Sequence, residues 1–485
     1  MDSTPPLEPR PKARQVVVLL VIAAASAQSL GYALRIPTQL TANDISRYCT
    51  VWSLLERGTY AIDECPWQKD TQDKVKKPDP FSKESPAPEH YYSSKPPLFA
   101  TLMAGVIYPF RKFSGVPLDA KVKQARVERS VQKEVKDQPG SFEFVKETPP
   151  PVVWEAYILY FKPAIVLFNV VPFLAFLVLF ARMLDRYAPN DWAYVFALVA
   201  AAWGNYLVVF NASLNNHTVA AYSAFFALYA FSKITDPLIK SRKLDFALAG
   251  FWAAFCACNE IPAGLFGALL FLILVVKDPK ATAVYFAPAA LVPLVAFFAT
   301  QYLAFGQLKP VYEEFGTKSY NYEGSYWNTP LEFDWYNLHP ESLPLYLFHM
   351  TLGHHGVFSL SPIFLFSLYA CVRNIAGRGR ALRVISGLTL LLTLAMLAFY
   401  TWNPKARNYG GSTSGLRWLF WLIPFWLVVL PTGLASGQDR KGARWLMLGA
   451  LAVSVFSAGY ALRSPWSNPW IVDLLEHLNL FTVVR

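Results

Sequence analysis

Apolar runs of membrane-spanning length recur along the chain, and they leave few folds open. They are Val16–Leu34, Tyr157–Phe180, Trp192–Phe210, Val219–Phe231, Phe246–Val276, Ala281–Phe305, Val357–Val372, Leu388–Trp402, Leu416–Leu434 and Trp445–Leu462. A helix needs about 20 apolar residues to cross the hydrocarbon, the shorter runs are extended by aromatic flanks, and Phe246–Val276 can cross twice, which gives about 11 spans. Only helices satisfy their own backbone in lipid, and no run alternates as a barrel strand does. The expected fold is an all-α integral membrane protein of about 11 transmembrane helices with a folded extracytoplasmic first loop.

Composition agrees. Of 485 residues, 54% are hydrophobic, more than a soluble protein of this length carries. The net charge of +11 would suggest nucleic acid in a soluble protein. Here much of the basic charge lies in loops beside spans, so it reports topology and anionic lipid rather than a nucleic-acid partner. Aromatic residues, 16% of the chain, gather near span ends as interfacial belts do. The five cysteines show no metal-binding spacing. Cys49 and Cys65 share the first polar loop, where an oxidising compartment would let them form a disulfide; two buried thiols are the other reading.

The basic segments Lys233–Lys243, Lys277–Lys280, Arg373–Arg383 and Arg440–Arg444 read as cytoplasmic. That puts Gly306–His349, Asn403–Gly415, Asn215–Thr218 and the tail beyond Arg463 outside, with residues 1–15 a cytoplasmic tail and 16–462 one membrane domain. Arg10, Lys12, Arg14 and Ala25-Ser26-Ala27 also fit a signal peptide, but the apolar run resumes to Leu34, so a retained first span is expected. The hydrophilic insertion 111–152 is patterned like a helix around Ala120–Val135 and resists assignment to a side. Its charge and the Arg182–Arg186 cluster both look cytoplasmic, which cannot hold if Leu98–Phe110 crosses fully and Tyr157–Phe180 crosses once.

The polar stretch 36–97 is where chemistry at a membrane face would sit. Asn43 or Asp44 can cap a helix running to about Arg57, which Gly58 can end. Apolar residues at Ile45, Tyr48, Val51, Trp52 and Leu55 make that helix amphipathic, as a helix lying on the membrane surface is. Asp44 can be a cap, a general base or a cation ligand, with Arg47 one turn on to keep it ionised. Tyr91-Tyr92-Ser93-Ser94-Lys95-Pro96-Pro97 closes the loop. Lys95 at the boundary can snorkel, or bind a lipid phosphate. Asn216 and His217 lie at the mouth of a span, and Arg417 follows the glycine-rich Tyr409–Gly415, where backbone amides and a guanidinium can hold phosphate. Glu260 is the most membrane-buried acid, and such groups are functional candidates. His354-His355 are weak evidence for metal without a matching acid.

Together Asn43-Asp44…Arg47-Tyr48, Tyr91–Leu98 and Tyr409-Gly410-Gly411…Gly415-Leu416-Arg417 resemble motifs of the GT-C superfamily of membrane glycosyltransferases, such as protein O-mannosyltransferases and the lipid A aminoarabinose transferase. The resemblance covers most of the chain in order of elements. It implies transfer of a sugar from a polyprenyl-phosphate carrier to a lipid, glycan or protein acceptor at the outer face of the plasma (inner) membrane. It implies Asp44 as the catalytic acid position and Lys95 as a contact to the carrier phosphate. Arg47, Tyr92, Asn216, His217 and Arg417 complete the expected substrate-binding set. Relatives often carry two adjacent acids where this chain has Asn43-Asp44; a divalent cation is compatible, but two-carboxylate metal binding is not expected. A transporter or lipid flippase using Lys162 and Glu260, or a non-catalytic membrane scaffold, are the competing expectations.

Overall fold

The computed structural model describes residues 12–37, 41–124, 129–134, 142–147, 152–314, 317–325, 341–377, 380–402, 409–411, 413–435, 437–466 and 469–480. It is an α-helical membrane protein. Among the described residues seven helices are long and apolar enough to cross a membrane. In chain order the main helices are α1 (Lys12–Arg35), α2 (Ala42–Glu56), α3 (Pro97–Ser114), α4 (Tyr157–Tyr187), α5 (Asp191–Phe210), α6 (Asn216–Thr235), α7 (Lys243–Asn259), α8 (Ile261–Lys277), α9 (Pro279–Phe305), α10 (Leu343–Thr351), α11 (Ile363–Ala376), α12 (Leu382–Trp402), α13 (Arg417–Ala435) and α14 (Lys441–Ala461). The seven are α1, α4, α5, α9, α12, α13 and α14; α8 and α11 are shorter apolar helices. The centre of the bundle is α5, α6 and α13, whose aromatic and small residues are almost entirely buried. Their outer neighbours expose Leu19, Leu20, Val276, Val295 and Trp445, as lipid-facing surfaces must.

Charged contacts sort the helix ends. Arg14 at the start of α1 pairs with Asp191 at 2.8 Å, and Arg444 of α14 lies 4.2 Å from the Trp192 ring. Arg186 of α4 reaches the Tyr229 ring of α6 at 5.5 Å, and Lys233 pairs with Asp245 of α7. The basic loops thus gather at one end of the bundle. At the other end Lys162 of α4 donates to Ala33 O at 2.7 Å and to Ile36 O, satisfying the last carbonyls of α1.

That contact resolves the insertion. Ser114, the last residue of α3, meets the Tyr160 hydroxyl at 2.5 Å, and Tyr160 donates to Val116 O at 2.8 Å. Tyr160 lies beside Lys162, so α3 ends where α1 ends. Its start, next to Lys95, is at the same end. Helix α3 therefore does not carry the chain through the bundle, and the insertion after it emerges on the side where α1 delivered the chain. The helical pattern expected around Ala120–Val135 is also corrected. The described parts are strands: β3 (Lys121–Gln124) pairs antiparallel with β6 (Val152–Glu155), and β4 (Arg129–Glu134) with β5 (Phe142–Glu147). The alternation of charged and apolar residues in Lys121-Val122-Lys123 suits a ribbon better than a helix.

The stretch 36–97 folds as α2 followed by a hairpin of β1 (Lys74–Pro78) and β2 (Glu89–Ser93). Helix α2 departs from expectation in two ways. Its N-cap is Thr41, without a side-chain cap bond, so Asn43 and Asp44 lie inside the first turn rather than before it. Moreover, every residue from Asn43 to Ser53 is buried. The helix is enclosed by α3, α4 and the hairpin instead of lying on a surface, with Tyr48 stacked on Phe161 at 4.0 Å. Glu56 at its end accepts two bonds of 2.7 Å from Arg111 and one of 3.0 Å from the Leu118 amide. This clamp fixes α2 to α3 and to the start of the insertion.

Candidate functional site

The end of the bundle that receives α2 is rich in buried charge. The hairpin turns the chain back so that β2 delivers Lys95 beside Asp73, with Nζ 3.0 Å from Oδ2. Asp73 is fixed from behind: its carbonyl accepts from Ser46 Oγ at 2.5 Å and from the Ser94 amide at 3.0 Å, and Ser46 also meets Ser93 Oγ at 2.6 Å. Ser46 belongs to α2, so the helix that presents Asp44 and Arg47 also locks the acid that faces Lys95.

Arg47 spans the site. It bonds the Asn43 side chain and carbonyl at one side and Asn216 Oδ1 at 2.5 Å on the other. Asn216, at the start of α6, donates onward to Asn259 O at 2.7 Å and to Glu260 Oε1 at 2.8 Å. His217 pairs closely with Glu260. Asn215 caps α6 by accepting from the Thr218 amide at 2.9 Å, which aims the next two side chains into the site. Arg417 enters at the start of α13, with its guanidinium 4.9 Å from the Trp466 ring, where the backbone of Gly410 packs against it. It acts electrostatically on Asp73, Glu260 and Asp44.

Asp44, Arg47, Lys95, Asn216, His217 and Arg417 therefore converge, although they come from four separate helices and loops. Glu260 joins them through Asn216 and His217. Tyr92 does not join the charged cluster: it packs in an apolar group with Val75, Ala304 and Phe305, its ring 5.5 Å from that of Phe305. It shares with Lys95 the crevice lined by Thr50, Tyr60 and Pro97. Lys162, a candidate for intramembrane transport chemistry, instead closes the end of α1. Asn403 to Asn408, ahead of the glycine-rich segment, and Ser412 within it lie outside the described residues.

Asp73 escaped the sequence reading. It lies in a run of polar loop residues with no motif of its own, and only the hairpin register, Lys74 opposite Ser93, places it next to Lys95. An acid just before a strand that returns to a lysine is the signal that could have found it.

The electrostatics point one way. Burial alone would raise the Asp73 carboxyl, but Lys95, Arg417 and Arg47 together hold it below its ordinary value. Lys95 is pushed below the ordinary lysine value, first by burial and then by Arg47 and Arg417, against the pull of Asp73. Burial lowers Arg47 to about 10, so it stays protonated at neutral pH. Three cationic neighbours hold Asp73 ionised, whereas burial is the main cause that lowers Lys95 and Arg47. Such a site suits a phosphate, with a guanidinium for bidentate contact and an ammonium as point charge.

No protein-family model matches the chain, and no curated protein matches it.

Proposed function

We propose that the chain is a glycosyltransferase that moves a sugar from a polyprenyl-phosphate carrier to a lipid, glycan or protein acceptor. The observation that carries this reading is the clustering of buried Arg47 with half-buried Lys95 and Arg417 about Asp73, at the end of a bundle of membrane helices. A lipid-linked phosphate is the ligand whose charged head and apolar tail fit both halves of that setting.

In the proposed reaction, Asp44 takes the proton of an acceptor hydroxyl or amine as that group attacks the anomeric carbon. The bond from that carbon to the carrier phosphate breaks, and the released lipid phosphate takes the electron pair. Lys95 and Arg417 stabilise the charge it develops, while a carboxylate near the sugar steadies an oxocarbenium-like transition state. Asp73 holds Lys95 in place, and Arg47 ties α2 to Asn216. His217 and Glu260 border the acceptor side.

The proposed topology has 11 passes: the seven long apolar helices plus α6, α7, α8 and α11. The basic end faces the cytoplasm, and the site and the insertion face outward from the plasma membrane. The test supplies membranes with a radiolabelled polyprenyl-phosphate sugar and follows label into lipid and protein. Transfer that falls in K95M and is largely lost in D44N supports the reading. Absence of transfer with every donor offered removes it in favour of a transporter or a scaffold.

A further inference from the structure

A second cluster of polar side chains sits in the loop that leads from α10 into α11. Glu341, just before α10, His349 on its last turn and His354 in the following turn converge, and one potential ligand atom of each lies within 4.8 Å of the others. The rings of His349 and His354 stack at 4.1 Å. This arrangement is built by the backbone. The Leu352 and Gly353 amides both bond Phe348 O, at 2.7 and 2.9 Å, folding the chain back so that His354 returns over His349. Gly353 makes room: a Cβ there would lie 2.3 Å from His349 Nδ1.

The outer contacts support the three groups. Tyr409 donates its hydroxyl to Glu341, and its ring stacks on His355 at 4.9 Å. His354 and His355 contact each other through Nδ1. Among the described residues, these contacts engage one carboxylate oxygen of Glu341 and Nδ1 of His354. Among the described residues, His349 Nδ1 is buried with no hydrogen-bond partner. Polar partners that orient ligands in this manner are the usual companions of a metal centre.

We propose that Glu341, His349 and His354 bind a Zn²⁺-class divalent ion with a fourth position left to water. Two imidazoles and one carboxylate form a borderline donor set that suits zinc over magnesium or calcium. Binding would turn one of the two stacked imidazoles so that both ring planes contain the ion, with the ligand atoms at zinc distances of about 2.0–2.2 Å. The ion would tie α10 to the turn before α11 and, through Tyr409, to the glycine-rich segment before Arg417. The site is independent of the transferase reading, because its ligands belong to none of the residues assigned there.

The test uses the full chain in lipid nanodiscs, stripped with a chelator and titrated with Zn²⁺, with bound metal counted by mass spectrometry. One equivalent is expected in the wild type. Affinity should fall by more than about 100-fold in the H349A/H354A variant, beyond what losing a supporting partner costs. Co²⁺ loaded into the wild type should give the intense visible absorption of a tetrahedral nitrogen–oxygen site, a readout that does not depend on a variant folding. No tight equivalent in the wild type, unchanged affinity in the double variant, or only octahedral Co²⁺ spectra would each overturn the proposal.

Discussion

Lys95 Nζ stands 3.0 Å from Asp73 Oδ2, and the hairpin between them is what makes the pair possible. The lysine that in sequence can either snorkel or bind a lipid phosphate is thus held half-buried, between an acid and two guanidinium groups. The pair sets the first expectations.

K95M removes the ammonium that would meet the carrier phosphate. A charge-assisted hydrogen bond contributes about 1.5–3 kcal/mol, so kcat/KM for labelled donor should fall roughly 10–150-fold. R47M should fall further, because its loss also frees Asn216 and leaves the α2–α6 junction unbridged. A Michaelis series in membranes from each variant checks this ranking.

Asp44 and Asp73 should separate by role. As a general base Asp44 contributes about 10²–10⁴-fold, so D44N should abolish most transfer while donor binding persists. D73N acts through Lys95 and should raise the donor KM more than it lowers kcat. Equal kcat losses in both variants would show that the assignment of the base is wrong.

Acid stability should depend on Asp73. Its folded carboxyl lies below the ordinary value, so the unfolded chain binds a proton first as pH falls. The stabilising contribution is complete above the ordinary value of 3.8 and is lost as pH drops through the lower folded value. D73N should flatten the thermal midpoint against pH in that acid window and lower it at neutral pH, where Lys95 loses its partner. Scanning fluorimetry in detergent from pH 7 down to about 3 measures it.

Gly250 of α7 faces the backbone of Phe286 so closely that a Cβ would lie 2.3 Å from its carbonyl oxygen. Small residues permit such approach between membrane helices. G250A should force α7 and α9 apart and cost about 1–3 kcal/mol, seen as a lower thermal midpoint in detergent. G264A, where the added Cβ would meet nothing within 4 Å among the described residues, is the matched control and should leave the midpoint unchanged.

Cys49 and Cys65 carry buried thiols whose sulfurs meet at 2.7 Å. If the first polar loop faces an oxidising compartment, the pair should be closed in membranes prepared without reductant. After denaturation, maleimide should then label both residues only when a reductant has been added. Labelling without reductant would place the loop on the reducing side and reverse the proposed topology.

What the sequence determined on its own was the helical membrane class and the membership of most of the charged cluster. Length and apolarity force helices in lipid, because no other open structure satisfies the backbone there. Ionisable groups at span mouths are few enough to be picked out singly, and Asp44, Arg47, Lys95, Asn216, His217 and Arg417 do meet. What only the tertiary structure decided were pairings across long separations. Asp73 gained its significance from the register of a hairpin, and Glu341 became a companion of His349 and His354 through a fold-back of the chain. The side on which the insertion emerges depended on one hydroxyl, that of Tyr160 against Ser114. Tyr92 was turned into a packing group by Phe305, which no local pattern announces. Periodicity and hydropathy report each segment's preference for its solvent, whereas such contacts arise from how segments pack against one another.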